Sequence, residues 1–313
     1  MTKYSLRPTL IYILGMPYSG STLVSLGLGT ANSTLNLGEI VLLENDYNNG
    51  RTSCICGKRL YDCSFWSAFV SRYRDSGERP GFDFDNRPRQ RYDPIDGSSL
   101  AGTLAEVCGI APERVYGRAA VERYRTKAVN FIRDTARLTG AQFIVDASKT
   151  PRRLKLLLDD PDVDVRVVWV AKPLRSAYAS KLKRARRKNR FYTPVFAPYY
   201  VAWVLLQHLR LASTFRKVDP SRRATVAFNA FIKEPQHLTE AVSALLDAPI
   251  ALAIERGTMR VGYQHVFTGS RWITAQTGPL RHVPLKQVPD PPLSLFERWS
   301  YAVFAAVFPV LRS

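Results

Sequence analysis

The feature that most constrains the fold is an apolar run that ends in a glycine-bounded loop. Residues 9–14, Thr-Leu-Ile-Tyr-Ile-Leu, form a continuous apolar run rich in β-branched side chains, which is typical of a buried strand in a parallel sheet. The loop Gly15-Met16-Pro17-Tyr18-Ser19-Gly20-Ser21-Thr22 follows, and a helical pattern begins at Ser21. Such a loop directs backbone N–H groups and the positive end of a helix at an anion. We therefore predict a phosphate cradle; the alternative is a turn that needs glycine for steric reasons alone.

Strand and helix patterns alternate along the rest of the chain. This alternation predicts an α/β fold in three layers, with a central, mostly parallel sheet flanked by helices. We find no internal repeat or linker and expect a single domain over residues 1–313, with a long surface excursion near 72–100 where proline, glycine and charged residues are mixed. The further predicted strands are 142–145, 165–170 and 224–228, and the predicted helices are 119–138, 175–188 and 234–246.

The composition indicates a folded protein with an anionic partner. Lysine and arginine total 45 against 26 aspartate and glutamate, a formal charge of +19, while 46% of residues are hydrophobic. A disordered polyelectrolyte is therefore excluded, and a partner rich in phosphate, sulfate or carboxylate is expected. Four cysteines are too few for a disulfide scaffold, so we expect a reducing compartment, the cytoplasm. The apolar tail 299–311 is shorter than the roughly 20 residues that a spanning helix needs.

The glycine loop resembles the first cofactor loop of sulfotransferases, whose donor is 3′-phosphoadenosine-5′-phosphosulfate (PAPS). In that family the loop looks like Gly-x-Pro-(Arg/Lys)-Ser-Gly-(Ser/Thr)-Thr, and Tyr18 stands where the family has its basic residue. A kinase P-loop would have lysine at Ser21. The resemblance implies that Tyr18 belongs to the catalytic set as a neutral donor and that another cation enters the site. It also implies that the donor is bound by Gly15, Ser19, Gly20, Ser21 and Thr22.

A second basic segment follows the predicted strand at 165–170. The stretch from Lys172 to Ser180 is similar to the family's 3′-phosphate segment, Arg-Asp-Pro-Arg-Ala-Val-x-x-Ser. The resemblance implies that Lys172, Arg175 and Ser180 bind the 3′-phosphate, although lysine in place of arginine forfeits bidentate contact. The alternative is a basic helix start on a solvated surface. Ligands of open parallel sheets bind at the carboxyl ends of strands, which favours the binding role.

Three shorter matches complete the predicted site. Lys149, in a Ser-Lys pair at a strand end, is the candidate for the cation that Tyr18 does not supply. Gly269 and Arg271 fall in a segment that looks like the family's cofactor-closing loop. Glu39 follows a glycine, as in several sulfotransferase branches, and a carboxylate there can accept the acceptor hydroxyl's proton; His265 is the reserve base. The alternatives are a solvated lysine, a surface turn and a helix-start glutamate.

Three of the four cysteines lie within ten residues. The segments Cys54-Ile55-Cys56-Gly57 and Cys63-Ser64-Phe65-Trp66 are similar to a pattern in bacterial sulfotransferases. Zinc would need a fourth ligand, and no partner with finger-like spacing is visible. We therefore expect structural thiols or a disulfide and no metal.

A basic run spans residues 181–190, where seven of ten residues are lysine or arginine. No nucleic-acid-binding fold accompanies it, so nucleic acid is not expected as a partner. The run is interpreted as a rim that gathers an anionic donor or acceptor, or as a solvated helix face. A membrane surface is left open as a partner of this basic face.

Together these segments resemble sulfotransferases over residues 9–66, 142–180 and 262–272. The resemblance implies an enzyme that moves a sulfuryl group from PAPS to an acceptor hydroxyl by in-line transfer. Its partners would be the nucleotide donor and a hydroxyl acceptor, either a glycan, a lipid or a small molecule. An acceptor that carries an anionic group would suit the basic charge of the chain. Two alternatives remain: a non-catalytic protein that binds anions or acidic glycans, and a P-loop kinase-like phosphotransferase.

Overall fold

The chain alternates strands with helices, as the sequence predicts. The computed structural model describes residues 7–50, 52–75, 82, 95, 100–188, 192–261, 264–267, 279–286 and 289–312. The helices are α1 (Ser21–Leu28), α2 (Leu43–Asn49), α3 (Ser64–Asp75), α4 (Leu100–Val107), α5 (Pro112–Tyr116), α6 (Arg118–Thr139), α7 (Pro151–Leu158), α8 (Leu174–Lys188), α9 (Ala197–Lys217), α10 (Phe228–Lys233), α11 (Gln236–Leu246) and α12 (Leu295–Val307).

The central sheet is parallel, which confirms the predicted fold class. Its described strands are β1 (Thr9–Gly15), β2 (Thr34–Gly38), β3 (Phe143–Asp146), β4 (Asp164–Ala171) and β5 (Arg223–Ala227), in the order β2-β3-β1-β4-β5. Each neighbouring pair runs parallel. A small antiparallel sheet contains β6 (Ile254–Glu255), β7 (Thr258–Arg260) and β8 (His282–Pro284).

Helices cover both faces of the central sheet. The connection through α1 runs from β1 across β3 to β2, whereas the connections that carry α6, α7 and α9 run in the opposite direction along the sheet. Because crossovers between parallel strands are right-handed, α1 lies on one face and the other three helices lie on the opposite face. Residues 10–14 of β1 are fully buried between these layers. This burial explains the continuous apolar run in the sequence.

The structure differs from the predicted elements at several places. The predicted helix 234–246 corresponds to α11, which begins two residues later, after Pro235, and the short helix α10 that precedes it was not predicted. β2 and α9 were not predicted. The excursion expected near 72–100 lies mostly outside the described residues, and its first four residues belong to α3.

The apolar tail forms α12 and a short 3-10 turn that follows it. Tyr301 of α12 is buried, but Trp299 and Val303 on the outer side are exposed. No helix in the described part of the chain is both long and apolar enough to cross a bilayer.

A buried ion pair fixes the loop that follows β3. Asp146 ends the strand, and its carboxylate accepts a hydrogen bond from Arg153 Nε of α7 at 2.9 Å, with both side chains almost completely buried. The same carboxylate accepts the Ser148 N–H at 2.9 Å. Across the sheet, Tyr12 OH accepts from Thr150 N at 3.0 Å and donates to Thr150 O at 2.9 Å. The loop 147–150 is therefore held at both ends.

We predict that Arg153→Met lowers the free energy of unfolding by about 3–5 kcal/mol, because it leaves the Asp146 carboxylate buried without its cation. Arg133→Met is the control, since Arg133 and Asp162 form an exposed pair at 3.2 Å that should contribute at most about 1 kcal/mol. Urea denaturation of both variants measures the difference. Equal losses would show that the buried pair does not stabilise the fold.

Candidate functional site

A cleft opens at the carboxyl ends of β1 and β4. These strands are neighbours, with Gly15 beside Val170, and their connections leave toward opposite faces of the sheet. Such a switch in direction leaves a crevice that binds ligands in open parallel sheets. The cleft has a volume of about 510 Å³. It is lined by Tyr18, Gly20, Leu23, Lys172, Pro173, Arg175, Ser176, Phe228, Asn229, Lys286, Pro289 and Asp290.

The glycine loop forms one wall of this cleft. Tyr18 and Gly20 both have left-handed backbone conformations, with φ of 71° and 90°. A Cβ added at Gly20 would lie 2.0 Å from the Phe228 ring, so the position also lacks space for a side chain. Helix α1 begins at Ser21, and the first amides of a helix have no acceptor within it. The loop therefore has the backbone geometry of an anion cradle.

Within the glycine loop, the side chain of Ser19 points into the protein interior. Its hydroxyl is fully buried and has no hydrogen-bond partner among the residues that the structure describes. The Ser19 amide donates to Met16 O at 3.0 Å, which closes the turn. A buried hydroxyl without a partner costs free energy, and a bound oxyanion would offer one.

Lys172 brings positive charge to the glycine loop. Its Nζ lies 3.5 Å from Tyr18 O and 5.6 Å from the centre of the Phe228 ring. Burial lowers the pKa of Lys172, while the Asp290 carboxylate raises it. Arg175 and Lys286 line the same cleft. Asp290 accepts a hydrogen bond from Ser176 Oγ at 2.5 Å, so part of its lone-pair capacity is already used within the protein.

Glu39 and Lys149 meet at the ends of β2 and β3. Lys149 Nζ donates to Glu39 Oε1 at 2.6 Å, and each side chain is less than one-fifth exposed. Lys149 has a left-handed backbone, with φ of 61°, a conformation that costs energy in residues other than glycine. Glu39 follows β2 and Lys149 follows β3, and both strands lie on the opposite side of β1 from β4. From the spacing of strands in a sheet, β3 and β2 are about 5 and 10 Å from β1. Neither is among the residues that line the 510 Å³ cleft.

A further carboxyl group lies near this pair. Burial raises the pKa of Asp46 to about 6, against the opposing effect of hydrogen bonds from Thr52 and Asn45, and the charge of Glu39 raises it further. The candidate base Glu39 therefore has a lysine and a carboxyl group as neighbours, and the carboxyl group of Asp46 takes up a proton as the pH falls through about 6.

Six of the predicted residues fall in two groups. Tyr18, Gly20, Lys172 and Arg175 line one cleft, and Glu39 pairs with Lys149. Gly15, Ser19, Ser21 and Thr22 belong to the glycine loop but are not among the described residues that line the cleft. Ser180, on α8, is not among the described residues that line the cleft. Gly269 and Arg271 lie outside the described residues. Their predicted roles therefore stay predictions.

Sequence reasoning missed several residues of the cleft. Phe228 and Asn229 follow directly after β5, and the rule that ligands bind at carboxyl ends of parallel strands was a signal that could have found them. Lys286 and Asp290 come from an irregular segment near the end of the chain. No periodic pattern marks them.

The cysteines have a fourth neighbour that the sequence did not reveal. The ligand atoms of Cys54, Cys56, Cys63 and His265 lie within 4.8 Å of one another. All three thiols are free, so of the two expected states, structural thiols or a disulfide, this structure has the thiols. The Cys54 thiol, as a hydrogen-bond donor, and His265 lower the pKa of Cys63, although burial opposes this. The imidazole considered as a reserve base thus contacts thiols instead.

The basic run divides between inward and outward side chains. Lys181 Nζ lies 3.7 Å from the centre of the Trp203 ring, and Arg186 pairs with the buried Glu297 of α12. These two cations therefore stabilise helix packing. The exposed cations of the described part of the run are Lys183, Arg184, Arg187 and Lys188.

Comparison with known proteins finds likeness only among solved structures. No protein-family profile and no curated protein matches the chain. The sulfotransferase domain from the curacin biosynthetic pathway is 16% identical with a TM-score of 0.44, over 96% of this chain and 99% of that chain. Sulfotransferase STF9 from Mycobacterium avium is 13% identical with a TM-score of 0.44, over 79% and 65%. The sulfotransferase domain from the Synechococcus PCC 7002 olefin synthase is 12% identical with a TM-score of 0.40, over 97% and 96%. At such values a function must be argued from the residues of the site.

We predict that Gly20→Ala disrupts the glycine loop, because the added Cβ meets the Phe228 ring and the backbone φ of 90° disfavours alanine. The expected loss in thermal denaturation is on the order of 1–3 kcal/mol. The double variant Gly20→Ala/Phe228→Ala removes the clash but keeps the backbone strain. If Gly20→Ala is as stable as the parent protein, the described loop conformation is wrong.

Proposed function

We propose that this protein is a PAPS-dependent sulfotransferase that transfers a sulfuryl group to an acceptor hydroxyl. The observation that carries the proposal is the meeting of the glycine loop with Lys172 and Arg175 in one cleft. A donor with phosphate groups at both ends of its ribose needs two anion sites, and this cleft has two kinds of anion ligand on adjacent strand ends. Its volume of about 510 Å³ falls in the usual range for small-molecule sites.

The residues of the cleft fit the donor chemically. The loop from Ser19 to Thr22 would hold the 5′-phosphosulfate through its amides and hydroxyls, and the unpartnered Ser19 hydroxyl supports this role. Arg175, which lines the cleft, offers a planar fork that suits a phosphate group. Ser180 and Arg271 stay predicted contacts of the donor. PAPS, when bound, supplies an activated sulfuryl group that carries less charge than a phosphoryl group.

Lys172 would supply the positive charge that the glycine loop lacks because Tyr18 stands in place of a basic residue. Lys172 Nζ lies 3.5 Å from the Tyr18 carbonyl oxygen, close enough to share an anion with the loop. It would stabilise negative charge on the leaving phosphate, as preorganised cations do in low-dielectric sites. Lys149 was the predicted cation for this role, but its ammonium group is paired with Glu39. We therefore assign Lys172 to the loop and Lys149 to positioning Glu39.

Glu39 is the proposed general base. Its carboxylate would accept the proton of the acceptor hydroxyl while the oxygen attacks sulfur in line with the leaving group. The salt bridge to Lys149 at 2.6 Å orients the carboxylate. Cations and loop amides would provide the charge stabilisation that the transfer needs.

Donor binding is tested by calorimetry with 3′,5′-adenosine diphosphate. We expect binding in the micromolar range and a loss of about 10- to 100-fold in Lys172→Ala, because a charge-assisted contact to phosphate is removed. Lys183→Ala is the control, since Lys183 is exposed on α8 outside the cleft. No binding by the parent protein at high micromolar nucleotide would overturn the proposal. Tighter binding of ATP with magnesium would instead favour a phosphotransferase.

The base is tested by transfer from labelled PAPS to a panel of glycans, phenols, lipids and small alcohols. We expect Glu39→Gln to lower turnover by about 10²- to 10⁴-fold with the affinity for 3′,5′-adenosine diphosphate retained. Glu240→Gln, at an exposed position of α11, is the control. Normal turnover in Glu39→Gln rejects the assignment. Donor binding without transfer to any acceptor by the parent protein would favour a non-catalytic anion-binding protein.

A further inference from the structure

Three cysteines and a histidine form a cluster near the end of β2, which the candidate base Glu39 follows. Cys54 and Cys56 lie in one turn, Cys63 immediately precedes α3, and His265 comes from a segment about 200 residues later in the chain. Their ligand atoms all lie within 4.8 Å of one another. We propose that Cys54, Cys56, Cys63 and His265 bind a structural zinc ion.

The distances in the cluster match the edges of a zinc tetrahedron. Cys56 Sγ lies 3.6 Å from Cys63 Sγ, and His265 Nδ1 lies 3.2 Å from Cys63 Sγ and 3.7 Å from Cys54 Sγ. With usual zinc bond lengths, a tetrahedral site has S–S edges of about 3.8 Å and S–N edges of about 3.6 Å. An ion placed among these four atoms therefore needs little movement of the ligands.

The backbone holds the cysteines in a compact turn. Cys54 N donates to Lys58 O at 2.8 Å, and Gly57 N donates to Cys54 O at 2.9 Å. Residues Ser53 and Arg59 pair across the base of this turn. Cys63 O accepts from Ser67 N in the first turn of α3 at 2.8 Å. Hydrogen bonds that do not involve the thiols thus position all three sulfurs.

Neighbouring aromatic side chains orient the histidine. The His265 ring stacks on Phe65 with centroids 4.8 Å apart and planes 6° from parallel. The main-chain oxygen of His265 accepts a hydrogen bond from Trp66 Nε1 at 2.7 Å. These contacts direct Nδ1 to the sulfurs and fix the ring, which is the usual task of groups around a metal ligand.

Zinc explains the composition of the cluster better than a disulfide does. A disulfide would join two of three thiols and leave the third thiol and the imidazole without a common partner. Thiolate and imidazole ligands together select zinc among the common ions of a reducing compartment. Four protein ligands leave no open coordination position, and Cys54 and Cys63 are buried. The site is therefore structural rather than catalytic.

The ion would join two distant parts of the chain beside Glu39. Ile55 N donates to Val266 O at 2.9 Å, and Phe267 forms bridges with both Cys54 and Gly38. Gly38, which precedes Glu39, has φ of 76°, and a Cβ there would lie 2.6 Å from Phe267 O. The zinc would thus fasten residues 264–267 against the end of β2, where the candidate base begins.

Metal analysis of the full chain tests the proposal. Protein purified under reducing conditions without chelator should contain about one zinc per chain by elemental mass spectrometry. Cys56→Ser and Cys63→Ser should lose most of this zinc. Cys108→Ser is the matched control, because Cys108 is an exposed free cysteine outside the cluster, and it should retain the metal. Cobalt substitution should give the thiolate charge-transfer bands and intense visible bands of a tetrahedral site.

A second measurement does not depend on the variants. Removing the metal from the parent protein with a chelator should lower its melting temperature, and added zinc should restore it. This experiment applies even where a cysteine variant fails to fold. The proposal is overturned if the reduced parent protein contains no metal and takes up neither zinc nor cobalt. It is also overturned if peptide mapping of the purified protein finds two of the three cysteines joined in a disulfide.

Discussion

The parallel pairing of β1 with β4 determines where the chemistry of this protein lies. The two strands pair along the whole of β1, from Thr9 with Asp164 to Gly15 with Val170. The glycine loop and Lys172 therefore begin at the same edge of the sheet, although more than 150 residues separate Tyr18 from Lys172. The chain leaves these strands toward opposite faces, so the space between them stays open. A cleft follows from the topology, before any side chain gives it specificity.

β1 also divides the site into two electrostatic halves. On one side, the cleft contains Lys172, Arg175 and Lys286 together with a single described carboxylate, that of Asp290. On the other side, Glu39 and Lys149 neutralise each other. The cleft therefore has an excess of positive charge that favours an anionic ligand, whereas the Glu39–Lys149 pair on the other side of β1 carries no net charge.

The sequence predicted the interior strands well and the edges of the site poorly. The interior strands β1, β3 and β4 are largely buried apolar runs because helices cover them. Edge strand β5 was also predicted, although Val226 is its one buried residue. Edge strand β2 has no such run because it contains Asn36, whose amide donates to Ser25 O and to Gln264. The placement of Tyr18 and Lys172 after two strands follows from the sequence pattern, but the sequence assigned the cation beside Tyr18 to Lys149, whereas Lys172 lies there. The roles of His265 and Lys286 did not, because their neighbours come from distant parts of the chain and no local pattern records such contacts.

The contact between residues 264–267 and the end of β2 has a consequence for synthesis of the chain. A ribosome releases Cys63 202 residues before His265, and Lys286 and Asp290 follow later still. At about 5–20 residues per second, the part of the chain that contains the cysteine turn therefore waits on the order of ten seconds or more for the residues that complete the cluster and the cleft. Contacts of such long sequence separation form late and slowly. During that interval the cysteine turn lacks the histidine that contacts its thiols in the folded protein.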